Sequence, residues 1–90
     1  MARIQDIRDL EQRITDAVEE YLECPEDYTN PVLAISRDNV TGLYDASVED
    51  ADELGEDMYP IDALLRNEYG DLEPDCDEIS EVANRFLFLD

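Results

Sequence analysis

The 90-residue sequence has no histidine and no lysine; its only bases are six arginines, set against 26 Asp and Glu for a formal net charge of −20. Without His the chain lacks the side chain that most often serves as general base or metal ligand. Without Lys there is no alternative amine to activate Ser36, Ser47 or Ser80, so no serine nucleophile is expected. Sparse positive charge argues against direct contact with nucleic acid or an anionic membrane, because Lys and Arg make those contacts. Glycine is equally thin. Gly42, Gly55 and Gly70 stand alone, which leaves no phosphate-cradling loop. The acids Asp6 and Asp9 interrupt the stretch where a secretory leader would place an apolar run of about 7–15 residues. Nothing nears the roughly 18 apolar residues of a membrane span. A soluble, cytoplasmic protein is the expectation.

Cysteine is scarce too. Cys24 and Cys76 are the only two, and two thiols without His cannot close a zinc site within one chain. Each has carboxylates close by: Glu23 and Glu26 near the first, Asp75 and Asp77 beside the second. Such neighbours disfavour a thiolate, so both read as unreactive thiols. Carboxylate pairs are inevitable among so many acids, but no constellation singles one out, and neither enzyme activity nor a cofactor is expected. Arginine in place of lysine suits bidentate pairing, as staples within an acidic surface.

The apolar fraction of 43% is nevertheless close to the globular norm of about 45–50%, so the chain is expected to fold, as one small domain over residues 1–90. In residues 2–23, Ile4, Ile7, Leu10, Ile14, Ala17, Val18 and Tyr21 recur at three- and four-residue steps, while Asp9, Asp16, Glu19, Glu20 and Glu23 fall opposite. This is an amphipathic helix, stopped by Pro25. Residues 32–36 and 40–44 are apolar and β-branched runs joined through Asp38 and Asn39, which predicts a central β-hairpin, with a bulge or a displaced turn at Gly42 as the alternative. Ser47 with Asp50 resembles a capping signal ahead of Val48, Ala51 and Leu54, and predicts a short acidic helix. Pro60, Asp62, Ile61, Leu64 and Leu65 predict another over residues 58–67, with Gly70 near its end. Residues 71–74 read as a turn or short extended piece. Asp75 and Glu78 then open a last helix with Ile79, Val82, Ala83 and Phe86 on one face.

The fold class is therefore α+β: a long N-terminal amphipathic helix, a central hairpin, and two or three shorter C-terminal helices. A mainly α-helical bundle is the alternative. Tyr21, Tyr44 and Phe86 are expected in the core, with Tyr28, Tyr59 and Tyr69 at its margins.

The charge is uneven. Residues 45–57 hold seven acids and no base, and residues 71–90 hold seven acids against one Arg, so two stretches carry a net −13. Self-repulsion of this size opposes compaction, so added salt is expected to favour folding. The leading expectation is a non-enzymatic interaction module that binds a basic protein through Asp45, Glu49, Asp50, Asp52, Glu53, Glu56, Asp57, Asp71, Glu73, Asp75, Asp77, Glu78 and Glu81. Acids at helical i, i+3 and i, i+4 spacing stand about 5–6 Å apart, comparable with phosphates along a nucleic-acid strand, which makes mimicry of nucleic acid the sharper form. The alternative is a structural or subunit protein whose acidity serves solubility or salt adaptation, associating, with itself or a partner, through Phe88 and Leu89. Loose divalent-cation binding is a third reading. Frames beginning at Asp45 and Asp71 put Asp50 and Cys76 where a calcium loop needs glycine, so neither is an EF-hand.

Overall fold

The computed structural model describes residues 5–55 and 57–88. It is an α+β fold: helix α1 (Ile7–Glu23), strands β1 (Pro31–Arg37), β2 (Tyr44–Asp50), β3 (Met58–Pro60), β4 (Leu65–Glu68) and β5 (Asp71–Pro74), and helix α2 (Cys76–Phe88). Single 3₁₀ turns occupy Pro25–Asp27 and Ile61–Leu64. β2, β1 and β3 form one antiparallel sheet with β1 central; β4 and β5 form a separate hairpin.

α1 begins where Asp6 caps it, its carboxylate accepting from the Arg8 N–H at 2.9 Å. Its apolar stripe buries Leu10, Ile14, Ala17 and Val18, as its spacing predicts. The opening residues of that predicted helix, 2–4, lie outside the described set. α2 begins just after Asp75, whose carboxylate accepts from Asp77 and Glu78 N–H, and contributes Ile79, Val82 and Ala83 to the core. Leu33 and Ile35 of β1, with Ile61 and Leu64 of the second 3₁₀ turn, complete it. Burying each such aliphatic side chain contributes about 1.5–3 kcal/mol before entropy is counted. Tyr21, Tyr44 and Phe86 are half-buried against this core, and the Tyr44 and Phe86 rings lie 5.3 Å apart.

Three sequence expectations are corrected. The hairpin's second strand is not residues 40–44 but Tyr44–Asp50, and its connection is residues 38–43 rather than Asp38 and Asn39 alone. Asp38 causes this: its carboxylate accepts from Val40 and Thr41 N–H, and its carbonyl from Gly42 N–H at 2.8 Å. The β-branched pair thus sits in the turn, with Val40 94% exposed. The expected acidic helix after Ser47 is strand β2 followed by a crossing segment. Tyr44, Ala46 and Val48 alternate onto the core side opposite Arg37, Ile35 and Leu33, a two-residue period that outweighs the weak helical stripe. Asp50 caps no helix; it accepts from Thr29 and Asn30 N–H at 2.8 and 3.0 Å.

Residues 58–67 likewise form no α-helix. Pro60 is extended (φ −60°, ψ 134°), and Ile61 and Leu64 meet the core from one 3₁₀ turn, whose three-residue repeat aligns i with i+3. Among the described residues the C-terminal region therefore has one α-helix instead of two or three. Gly70 forms, with Tyr69, the two-residue turn between β4 and β5, at φ 86° and 57°.

β2 and β3 both run antiparallel to β1 on its opposite sides, so the connection between them crosses the sheet. The helices cover the inner face, and Leu54 shares a hollow with Val32 and Pro60, which places the crossing on the outer face.

Candidate interaction surface

The two edges of the three-stranded sheet are built differently. β3 is three residues long, ends in Pro60, and is flanked by α2: the Tyr59 ring lies 6.4 Å from that of Phe86 and 6.0 Å from the Arg85 guanidinium. β2 is seven residues long without proline. In an antiparallel pair, residues alternate between bonding to the partner strand and facing away from it. The Ala51 N–H bonds to Asn30 C=O at 3.1 Å and the Asp38 N–H to Leu43 C=O at 2.9 Å, which sets the phase. Asp45, Ser47 and Glu49 bond to β1, and Tyr44, Ala46 and Val48 turn their backbone groups outward along the edge.

Part of that edge is closed by side chains. Gln5, the buried polar side chain among the described residues, donates from Nε2 to Tyr44 C=O at 2.9 Å and accepts from Tyr44 N–H at 2.8 Å, as a neighbouring strand would. The same amide donates to Asp9 at 2.8 Å. This bond, followed by that from Arg13, holds the Asp9 carboxyl below its ordinary range. Arg13 also reaches Asp45 at 3.4 Å, and the Asp9 hydrogen bond is the main cause of its raised pKa. The Ala46 N–H bonds to the Asp45 carboxylate at 2.9 Å. The Ala46 C=O and both backbone groups of Val48 have no partner among the described residues.

Alongside them lies a cleft of about 250 Å³, walled by Ala46 to Val48 on one side and by Arg13, Asp16, Glu20 and Tyr28 on the other. Asp16 accepts from Gln12 at 2.8 Å. Sequence reading put Asp16 and Glu20 on the solvated side of α1; their place beside β2 depends on strand order, which no local pattern reveals.

The thirteen acids singled out from the sequence do not form one surface. Asp45 and Glu49 project from β2 away from the core, Asp50 holds the 29–30 backbone, and Asp52 takes a long 3.5 Å bond from Asn30. Glu53 is exposed in the crossing and Asp57 follows it, its carbonyl accepting from Ile35 N–H at 2.9 Å. Glu56 lies outside the described residues. Asp71 and Glu73 belong to the β4–β5 hairpin, where Glu73 pairs with Arg66 at 2.8 Å. Asp75 caps α2, Asp77 is exposed on its first turn, and Glu78 and Glu81 border a small hollow with Tyr59 and Arg85 on the β3 side. β2 and α2 acids thus stand at opposite edges of the sheet. Of the apolar pair proposed at the C-terminus, the side chain of Phe88 and all of Leu89 lie outside the described residues.

Both cysteines are exposed free thiols, Cys24 just after α1 and Cys76 at the start of α2. Among the described residues no group of three or more acids or cysteines is arranged to hold a metal ion, and no helix is long and apolar enough to cross a membrane. No protein-family model matches the chain, and neither does any curated protein or solved structure.

Proposed function

We propose that this chain is a non-enzymatic acidic module that binds a basic protein. The observation that carries the reading is the uncompensated charge along β2 and the crossing. Glu49, Asp50, Asp52, Glu53 and Asp57 have no Arg partner among the described residues, and Asp45 shares Arg13 with Asp9. Unneutralised carboxylates on a folded surface raise the local concentration of cations and speed encounter with a basic partner. Mimicry of nucleic acid is the narrower form, and of the described acids singled out from the sequence its helical spacing applies to Asp77, Glu78 and Glu81 of α2, because Asp45, Glu49 and Asp50 lie on a strand.

Affinity for an arginine-rich peptide, measured by calorimetry across ionic strength, tests the reading. Binding should weaken at least about tenfold between roughly 50 and 500 mM salt, as the screening length shortens from about 14 to 4 Å. Affinity that does not change with salt, or no binding at the lower salt, would leave the acids as a solubilising surface.

A further inference from the structure

Native sheets protect their edges with proline, short strands, covering elements or charge, because an open edge pairs with any compatible strand. β3 uses the first two. β2 uses Gln5 at Tyr44 and the Asp45 carboxylate at Ala46 N–H, then leaves the Ala46 C=O and the Val48 N–H and C=O unclaimed by any described residue over the cleft. Those groups are spaced to bond an extended chain laid beside β2.

Charge decides which chain fits. The carboxylates of Asp16 and Glu20 line the wall facing β2, and Asp45 and Glu49 stand on its outer face. Arg13, the cation of the cleft, is already bonded to Asp9 and Asp45. Side chains of an added strand alternate between the two sides of the sheet, so they meet carboxylates on either side. A second copy of this edge is disfavoured in the register centred on Ser47, where antiparallel self-pairing sets Asp45 directly against Glu49, and like charges so opposed destabilise a sheet.

We infer that the open edge of β2 from Ala46 to Val48 captures an extended, arginine- or lysine-bearing segment of a partner protein as an added antiparallel strand. This rests on the reading of the chain as a binder of basic proteins, and adds that recognition runs through backbone hydrogen bonds as well as charge. The occupant is an unfolded or loop segment with bases at alternate positions. A folded basic surface has no free backbone to offer the edge.

The test uses the intact protein and two synthetic peptides of about eight residues in which Arg alternates with Thr, one unmodified and one N-methylated on alternate amides. Their charge is identical; only the methylated peptide lacks the donors and room for strand pairing. The unmodified peptide should bind about tenfold or more tightly than its methylated counterpart, the cost of roughly two lost strand bonds. The Val48 amide should exchange at least about tenfold more slowly in its presence. Glu20→Gln should weaken the unmodified peptide about two- to fivefold without changing the ratio between peptides. Equal affinities with unchanged Val48 exchange would overturn strand capture and leave the acidic-module reading standing. Failure of both peptides to bind at low salt would overturn both.

Discussion

The two edges of the small sheet solve one problem in opposite ways. β3 has little backbone to expose: it is three residues long, lacks an N–H at Pro60, and has Tyr59 flanked by Phe86 and Arg85 of α2. β2 is more than twice as long, and its backbone is met in turn by a glutamine amide, an aspartate carboxylate and an acid-lined cleft. A short strand ending in proline offers little to any partner, whereas charge refuses only some. Under the proposed strand capture, a net charge of −20, unfavourable for compaction, gains a use at such an edge, where it would attract a basic strand.

The largest expected effect lies in what both edges share. Leu33 is fully buried on central β1, and Leu33→Ala should cost about 2–5 kcal/mol in urea denaturation, enough to unfold a domain of this size. A cost below about 1 kcal/mol would mean that the edges do not depend on this core.

Next come the edges themselves. Gln5→Ala removes both hydrogen bonds to Tyr44 and should cost about 1–3 kcal/mol, because each contributes about 0.5–1.5 kcal/mol and buried backbone groups lose their partner. Pro60→Ala on the exposed end of β3 should cost no more than about 1 kcal/mol, mainly through a more flexible unfolded chain. Equal costs in denaturation experiments would erase the contrast. The Gln5 variant has a second readout. Its hydrogen bond is the main reason that Asp9 titrates below the ordinary carboxylate range, so the Asp9 midpoint should rise in an NMR titration. A depressed folded-state pKa supports stability above the unfolded value and loses that support as pH falls through the folded one. Asp9 therefore contributes less stability in the variant, and the acid limb of its stability curve should be shallower. Asp38, held low by the Val40 and Thr41 N–H groups, should keep its midpoint in both proteins.

Tyr69 offers a smaller effect far from either edge. It is 99% exposed at φ 57°, where a side chain is disfavoured by about 1–2 kcal/mol, so Tyr69→Gly should stabilise by up to about 1 kcal/mol after the entropy of glycine is subtracted. The smallest effect is that of salt on the free protein: about 200 mM should raise Tm by a few degrees through screening of the carboxylates.

The helices were legible in the sequence because their signals are local. α1 repeats its apolar positions for four turns between a capping acid and a proline, and α2 follows a cap at Asp75. β2 was obscured because Ser47 and Asp50 imitate a helix cap while its apolar alternation rests on Ala46 and Val48 between acids. Residues 58–67 mislead for a related reason: Ile61 and Leu64 at i, i+3 satisfy a 3₁₀ turn as well as an α-helix. The acids could be named from the sequence, but their division between two edges could not. That depends on strand order, as do the place of Asp16 and Glu20 beside β2 and the role of Gln5 on Tyr44.

Amide hydrogen exchange of the free protein tests the contrast most directly. The N–H groups of Ser47 and Glu49 point to β1 and that of Val48 points to the cleft, so Val48 should exchange about a hundredfold faster than its two neighbours. Protection at Val48 equal to that of Ser47 and Glu49 would show the β2 edge to be closed and contradict the account.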